Sequence, residues 1–266
     1  MNSPVDHPLA SFVKNLEAYC AIDPADGAAL LELPYRARML DSSVYLVREG
    51  DHPVNCGILL SGFAYRQKQT SDGQRQILSL HIPGECLDLQ HLYLNIADHS
   101  VQMLSRGEVA LVAMKDIQAL LVERPGVARA ILMNTLVEAS IFREWILNVG
   151  RRDARTRLAH LLCEFAVRMH AGGFVKDGGY RLPVTQEQLA DALGLTAVHV
   201  SRTLKSLETE GLIERNKRMV TFSSWTKLRE IGDFNLRYLH LRDGDGVHEN
   251  MLSSSDGANL GYGATA

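Results

Sequence analysis

The stretch TQEQLADALGLTAVHVSRTLKSLETEGLIER, residues 185–215, holds two apolar-periodic segments separated by a single glycine, Gly194. Thr185 and Gln188 head the first segment at the Thr-x-x-Gln spacing of a capping box, in which two orphan N–H groups are satisfied reciprocally. Leu189, Ala190 and Leu193 give this segment an inner face, and Gly194 permits the tight turn that follows. Thr196 is a second N-cap candidate. The next segment turns Val200, Leu204 and Leu207 inward, spaced four and three, and leaves Val198, His199, Arg202 and Lys205 facing out. Gly211 closes it as a helix C-terminal glycine. Two short helices around a glycine turn, the second with a polar outer face, read as a helix-turn-helix. Beyond it, LIER and MVTF flank Asn216-Lys217 as a β-hairpin with a basic end at Arg215, Lys217 and Arg218, which makes the unit winged.

A helix with outward cations beside a basic hairpin suits a polyanion. An arginine on the groove-facing side can fork to guanine O6 and N7. Thr196, Ser201, Thr203 and the hairpin cations can hold phosphates and set the register. The charge distribution agrees. Residues 1–150 carry 12 Lys+Arg against 17 Asp+Glu, residues 151–240 carry 15 against 10, and residues 241–266 carry 1 against 4. One basic segment on an acidic chain points to a polyanion met by that segment alone.

The first half reads as β. VYLVREG, CGILLSG, AYRQKQT, RQILSLHI and EVALVAM are strand-sized runs punctuated by Gly50, Gly62, Gly73 and Gly84, and Ser71-Asp72-Gly73 is a hairpin signal. Such spacing predicts a small barrel or jelly roll. An amphipathic helix is predicted before it, from about Val13 to Leu33, and a short helix in DIQALLVERPGV stops near Pro125. From about Gly126 to Val149, Leu132, Leu136, Ala139, Phe142, Ile146 and Val149 recur every three or four residues as one apolar stripe, with Glu138, Arg143 and Glu144 opposite. That stripe needs a partner, either the barrel or, as the preferred reading, its own copy in a homodimer. Another helix, basic at its start, occupies GRRDARTRLAHLLCEFAVRM, and the tail RDGDGVHENMLSSSDGANLGYGATA has the composition of a disordered segment.

These features together resemble the Crp/Fnr transcription regulators over about residues 20–235. TQEQLADALGLTAVHVSRTLKSLETEGLIER is similar to their recognition motif, with Ser201-Arg202 at the place of the base-reading pair. REGD, SDG and PGE resemble the turns of a cyclic-nucleotide-binding barrel, and the helix after Pro125 stands where the family has its dimerisation helix. The resemblance implies an α+β architecture in four parts: a β-roll or jelly-roll effector-binding-like domain with an N-terminal helix over 1–125, a dimerisation helix over 126–150, a winged helix-turn-helix over 151–240 and a tail over 241–266. It implies a homodimer that binds a near-palindromic site in double-stranded DNA and works with RNA polymerase. An effector pocket is implied around Gly84, Glu85 and Leu89.

The sequence also departs from the family pattern. Asp88-Leu89 stands at the register of the Gly-Glu pair that grips a ribose, and Ala97-Asp98 at the register of the Arg-Ser pair that neutralises a cyclic phosphate. NIADHSVQ contains no arginine, and a buried phosphate without its cation is strongly disfavoured. Cyclic AMP is therefore not the expected effector. Cys20 stands alone where the oxygen-sensing branch clusters its iron–sulfur cysteines, and Val198 replaces a glutamate common four residues before the recognition arginine.

The remaining signals are weak. Cys20, Cys56, Cys86 and Cys163 are far apart in sequence, form no C-x-x-C pair and read as buried small hydrophobes, with oxidant sensing by one of them as the alternative. His81, His91 and His99 match no ligand spacing, so no metal or cofactor is expected. GGFVKDGG lacks the context of a phosphate loop, and no nucleophile motif marks an enzyme. No run approaches the about 20 apolar residues of a membrane helix, and the N-terminus shows no secretory signal, so a cytoplasmic protein is expected. Two rival readings remain at this level: a small-molecule or redox sensor acting mainly through protein contacts, and a genuine cyclic-nucleotide receptor.

Overall fold

A computed structural model describes residues 7–175 and 179–242. The tail from residue 243 onward, and with it the disorder expectation, lies outside the described residues.

The chain begins with two helices where periodicity predicted one. α1 is Ala10–Glu17 and α2 is Pro24–Leu31. Asp23 takes an extended backbone and its side chain accepts from the Ala25 N–H, while Pro24 occupies the first helical position. A proline ring clashes with the preceding turn of a continuous helix, so Pro24 can only begin a helix, and α2 starts there after α1 has ended at Glu17.

Seven strands follow: β1 (Tyr35–Leu40), β2 (Tyr45–Val47), β3 (Asn55–Leu59), β4 (Ala64–Gln69), β5 (Arg75–His81), β6 (Ser100–Met103) and β7 (Gly107–Ala113). They form two antiparallel sheets ordered β1-β7-β3 and β2-β6-β4-β5. Leu40, Leu59, Leu87, Val101, Met103 and Val109 fill the space between them. The predicted Asp72-Gly73 hairpin joins β4 to β5, with Gly73 at φ +84° and Gln69 opposite Arg75. β1 and β6 carry no strand signal of their own. β1 pairs along only one edge and keeps Arg36, Ala37, Arg38 and Met39 exposed, so it lacks apolar alternation.

α3 (Met114–Glu123) leads into α4 (Pro125–Arg151), 27 residues long and so about 40 Å in length. α4 is apolar on two faces, not one. Val127, Ala130, Ile131, Val137, Ile141 and Trp145 are buried against the protein's own body. The stripe read from the sequence lies outside this face: Leu132, Leu136 and Ile146 are 58%, 55% and 73% exposed. Ala139, Phe142 and Val149 are half-buried. Glu138 and Glu144 do not form a free polar face, because Glu138 pairs with Arg66 and Glu144 with Arg152.

α5 (Ala154–Ala171) starts at Asp153, whose side chain accepts from the Thr156 N–H. β8 (Gly179–Arg181), α6 (Gln186–Leu193), α7 (Ala197–Thr209), β9 (Ile213–Asn216), β10 (Met219–Phe222) and α8 (Trp225–Ile231) complete the C-terminal unit. Its sheet is ordered β8-β10-β9. The outcome is the α+β architecture expected: β-roll, long helix, winged helix-turn-helix. A single apolar cluster runs from Tyr65, Ile77 and Leu80 of the roll through Trp145 to Leu189, Leu204 and Trp225 of the winged unit. Polar contacts reinforce the junction. Arg168 of α5 donates to the Leu80 carbonyl at 2.6 Å and the Glu85 carboxylate at 2.8 Å. Arg75 of β5 donates to Asp191 of α6 at 2.7 Å.

Candidate nucleic-acid interface

The helix-turn-helix is built by local chemistry. The Thr185 N–H donates to Gln188 Oε1 at 2.8 Å, and the Gln188 N–H to Thr185 Oγ1 at 3.2 Å, closing the capping box. Gly194 sits at φ +62°, ψ +43°, the left-handed region open to glycine at little cost. The His199 N–H donates to Thr196 Oγ1 at 3.2 Å and caps α7. Val200, Leu204 and Leu207 are buried, which fixes the rotation of α7 about its axis.

That rotation leaves Val198 (62% exposed), His199, Arg202 and Lys205 on the open side, with Ser201 at its edge. The side chains of Arg202 and Lys205 make no hydrogen bond or ion pair among the described residues. The same holds for Lys217 and Arg218, the two-residue tip between β9 and β10, where Lys217 takes φ +56°. Thr203 and Arg215 are placed differently from their sequence reading. Thr203 is buried and its hydroxyl donates to the His199 carbonyl at 2.9 Å, so it is not presented as a phosphate contact. Arg215 donates to Glu208 at 2.6 and 3.1 Å, so its charge is largely neutralised. Glu208 and Glu210, at the C-terminal end of α7, are paired with Arg215 and Arg155. Of the cations expected to meet DNA, Arg202 and Lys205 on α7 and Lys217 and Arg218 at the hairpin tip thus remain unpaired and open to solvent.

The residues assigned to an effector pocket are not brought together. Leu89 lines a cavity of about 370 Å³ between the β-roll and α4, with Arg66, Lys68, Gln90, His99 and Phe142 among its neighbours. Gly84 and Glu85 do not line it. Gly84, at φ +92°, lies so close to the Ser11 carbonyl that a Cβ would stand 2.5 Å from its oxygen. Glu85 turns toward α5 and meets Arg168 and His81. Burial opposes the Glu85 charge, but Arg168 and His81 outweigh it and hold the carboxyl at about 2. Burial keeps His81 below the usual histidine range despite Glu85.

The cavity does contain cations, delivered by β4 and not by NIADHSVQ. Arg66 and Lys68 stand two apart on the strand and share a face, a signal that period-2 reading could have found. Both are engaged. Arg66 donates to Glu138 at 3.1 Å and to the Leu87 carbonyl at 2.8 Å, and Lys68 pairs with Glu49 at 3.2 Å. His81, His91 and His99 are buried, and His99 Nδ1 donates to the Asp98 carboxylate at 2.7 Å. Among the described residues no group of three or more His, Cys, Asp or Glu could hold a metal ion. All four cysteines are buried and free, but Cys56 and Cys86 are not far apart in space: their sulfurs lie 2.9 Å from each other. No helix among the described residues is long and apolar enough to cross a membrane.

Comparison with known proteins agrees with this geometry. The cyclic nucleotide-binding domain family matches residues 38–124, and the Crp-like helix-turn-helix domain family matches residues 156–231. The transcriptional activator protein FnrL of Cereibacter sphaeroides is 28% identical over 221 residues, covering 81% of this chain and 88% of that protein. The nitrogen fixation regulation protein FixK of Rhizobium meliloti is 27% identical over 186 residues, covering 69% and 81%. Among solved structures, FixK2 from Bradyrhizobium japonicum superposes with a TM-score of 0.68 at 23% identity, covering 75% of this chain and 98% of that one, a likeness of fold. With a cyclic-nucleotide-binding-like roll, a long connecting helix and a winged unit of the Crp type in one chain, the protein belongs to the Crp/Fnr family of transcription regulators.

Proposed function

We propose that the chain works as a cytoplasmic homodimer that binds a near-palindromic operator, with α7 in the major groove and the β9–β10 tip on the backbone, and that it acts on RNA polymerase and not as an enzyme. The observation that carries this reading is the unpaired cationic face of α7. Arg202 and Lys205 are exposed and unpartnered on a helix whose rotation is fixed by Val200, Leu204 and Leu207. Base readout falls to Val198, His199, Ser201 and Arg202, and phosphate contact to Thr196, Lys205, Lys217 and Arg218, with Arg215 a minor contributor. Leu132, Leu136, Ala139, Phe142, Ile146 and Val149 form the dimer seam. Three of them are more than half exposed, and an apolar stripe of this length on a helix is a cost unless covered. The relatives named as transcriptional activators support the partner.

Cyclic AMP is not the effector in this reading. Leu89 offers no ribose acceptor, and the nearby cations already serve Glu138 and Glu49. The experiment is a titration with random duplex DNA at two salt concentrations. Displaced counterions make log affinity fall with log salt at about 0.9 per phosphate neutralised. A steep slope is expected. A protein whose output is protein contact alone would show negligible binding and no slope.

A further inference from the structure

Cys56 and Cys86 are brought together by backbone pairing. Ile58 and Cys86 face each other in an antiparallel bridge. It is flanked by the Leu59 N–H on the Glu85 carbonyl at 3.0 Å and the Leu87 N–H on the Gly57 carbonyl at 2.8 Å. Residues two apart on a strand share a face, so Cys56 lies diagonally across from Cys86. Their sulfurs are 2.9 Å apart, nearer than the about 3.5–4.0 Å at which even carbon atoms pack. A disulfide bond is about 2.05 Å long, so the two sulfurs need to close by less than about 1 Å.

Cys86 also lines a cavity of about 30 Å³, together with Tyr19, His81, Glu85 and Arg168. A water needs about 10–15 Å³ on this measure, so the space admits one molecule about twice that size. Arg168 is buried, and its Nε has no hydrogen-bond partner. Arg168 thus brings a buried guanidinium to the cavity wall, which suits a small molecule with acceptor oxygens, and hydrogen peroxide has that size and chemistry.

We propose that Cys56 and Cys86 form a peroxide-responsive dithiol, in which Cys86 attacks peroxide held beside Arg168 and Cys56 resolves the product. The Cys86 sulfur takes one peroxide oxygen, the O–O bond breaks, and the second oxygen leaves with a proton as water. Cys86 is then a sulfenic acid. The Cys56 sulfur attacks the Cys86 sulfur, the S–O bond breaks, and the hydroxyl leaves with the Cys56 proton as a second water. Two thiols lose two electrons and one peroxide is reduced to two waters. The contact with Cys86 and burial hold the Cys56 thiol well above its ordinary range, which disfavours it as the thiolate that first meets peroxide; Cys86, which lines the cavity, takes that step. Resting on the DNA-binding reading, the disulfide regulates that site. It draws the Cys86 turn toward β3, and Glu85 beside it is the residue that grips Arg168 of α5.

The test treats the reduced full chain with hydrogen peroxide, alkylates the remaining thiols, maps the peptides, and measures affinity for a duplex selected from a random pool. The expected result is a Cys56–Cys86 cross-link with Cys20 and Cys163 still alkylated. DNA affinity should change by about fivefold or more, the lower end of coupling between sites, and be restored by dithiothreitol. In Cys56→Ala, dimedone should trap Cys86 and the affinity change should vanish. In Cys86→Ala, Cys56 should stay reduced. Absence of the cross-link in the wild-type chain, or a cross-link with unchanged affinity, overturns the proposal; the wild-type mapping requires no variant to fold. If neither form retains DNA, the DNA-binding reading fails, and the cross-link alone then decides the thiol chemistry.

Discussion

Arg202 and Lys217 are both exposed cations without a partner among the described residues, yet they are framed differently. Arg202 is held by a helix of fixed rotation, whereas Lys217 sits at a hairpin tip. Arg202→Ala is therefore expected to cost about 1–3 kcal/mol on the selected operator, to flatten preference at one base position per half-site, and to change random-DNA binding far less. Lys217→Gly relieves a positive φ while removing the charge, so the hairpin should persist. It should weaken all sequences alike and lower the salt slope by about one. Equal loss on operator and random DNA for Arg202→Ala would make Arg202 a phosphate contact. At the domain junction, Glu85 has a folded pKa of about 2 against about 4.3 unfolded. The unfolded state binds more protons as pH falls through this interval, so the contribution is full above about pH 5 and lost toward pH 2. His81, held neutral by burial, acts in the same direction below about pH 6.5. Urea midpoints followed by circular dichroism should fall on acidification, and less steeply in Glu85→Gln. An unchanged pH profile in that variant would contradict the assignment. Thr203 and Arg215 show where single residues escape a sequence reading. Their polar groups are spent on the His199 carbonyl and on Glu208, partners that only the fold reveals.

α4 is the element on which the proposed homodimer depends. One face packs on the protein's own body and a second, carrying Leu132, Leu136 and Ile146, is left uncovered. Replacing Leu136 and Phe142 together by glutamate is expected to give monomers or aggregates in sedimentation, since like charges would face each other across the seam. A double variant that remains a dimer would remove the seam from this face. The outer stripe was legible because it repeats every three or four residues. The inner stripe is hidden in the sequence because Asn134, Ser140 and Asn148 interrupt it, though all three are buried. The helix-turn-helix was legible for a different reason: its capping box, turn glycine and core spacing are local, within residues 185–211. β1 was not, because an edge strand with Arg36 and Arg38 exposed has no apolar alternation, and β6 is only four residues long. The Cys56–Cys86 contact, between residues 30 positions apart, depends on a non-local bridge, which the sequence conceals.

At the scale of the whole molecule, a basic winged unit is seated on an acidic roll through Arg168–Glu85 and Arg75–Asp191. One apolar cluster runs continuously from the roll to the recognition helix. A change in the roll therefore has a packed path to α7, and two copies joined along α4 would present two recognition helices related by a two-fold axis. Symmetric recognition helices read half-sites separated by one helical turn, about 10–10.5 base pairs centre to centre, or a multiple of it. The direct measurement is to incubate the full chain with a random duplex pool, recover the retained DNA through successive rounds, and sequence it. The expected result is a near-palindrome with that spacing and a guanine-containing position in each half-site that disappears when Arg202→Ala is selected in parallel. No enrichment over the starting pool, or a single asymmetric site, would contradict it.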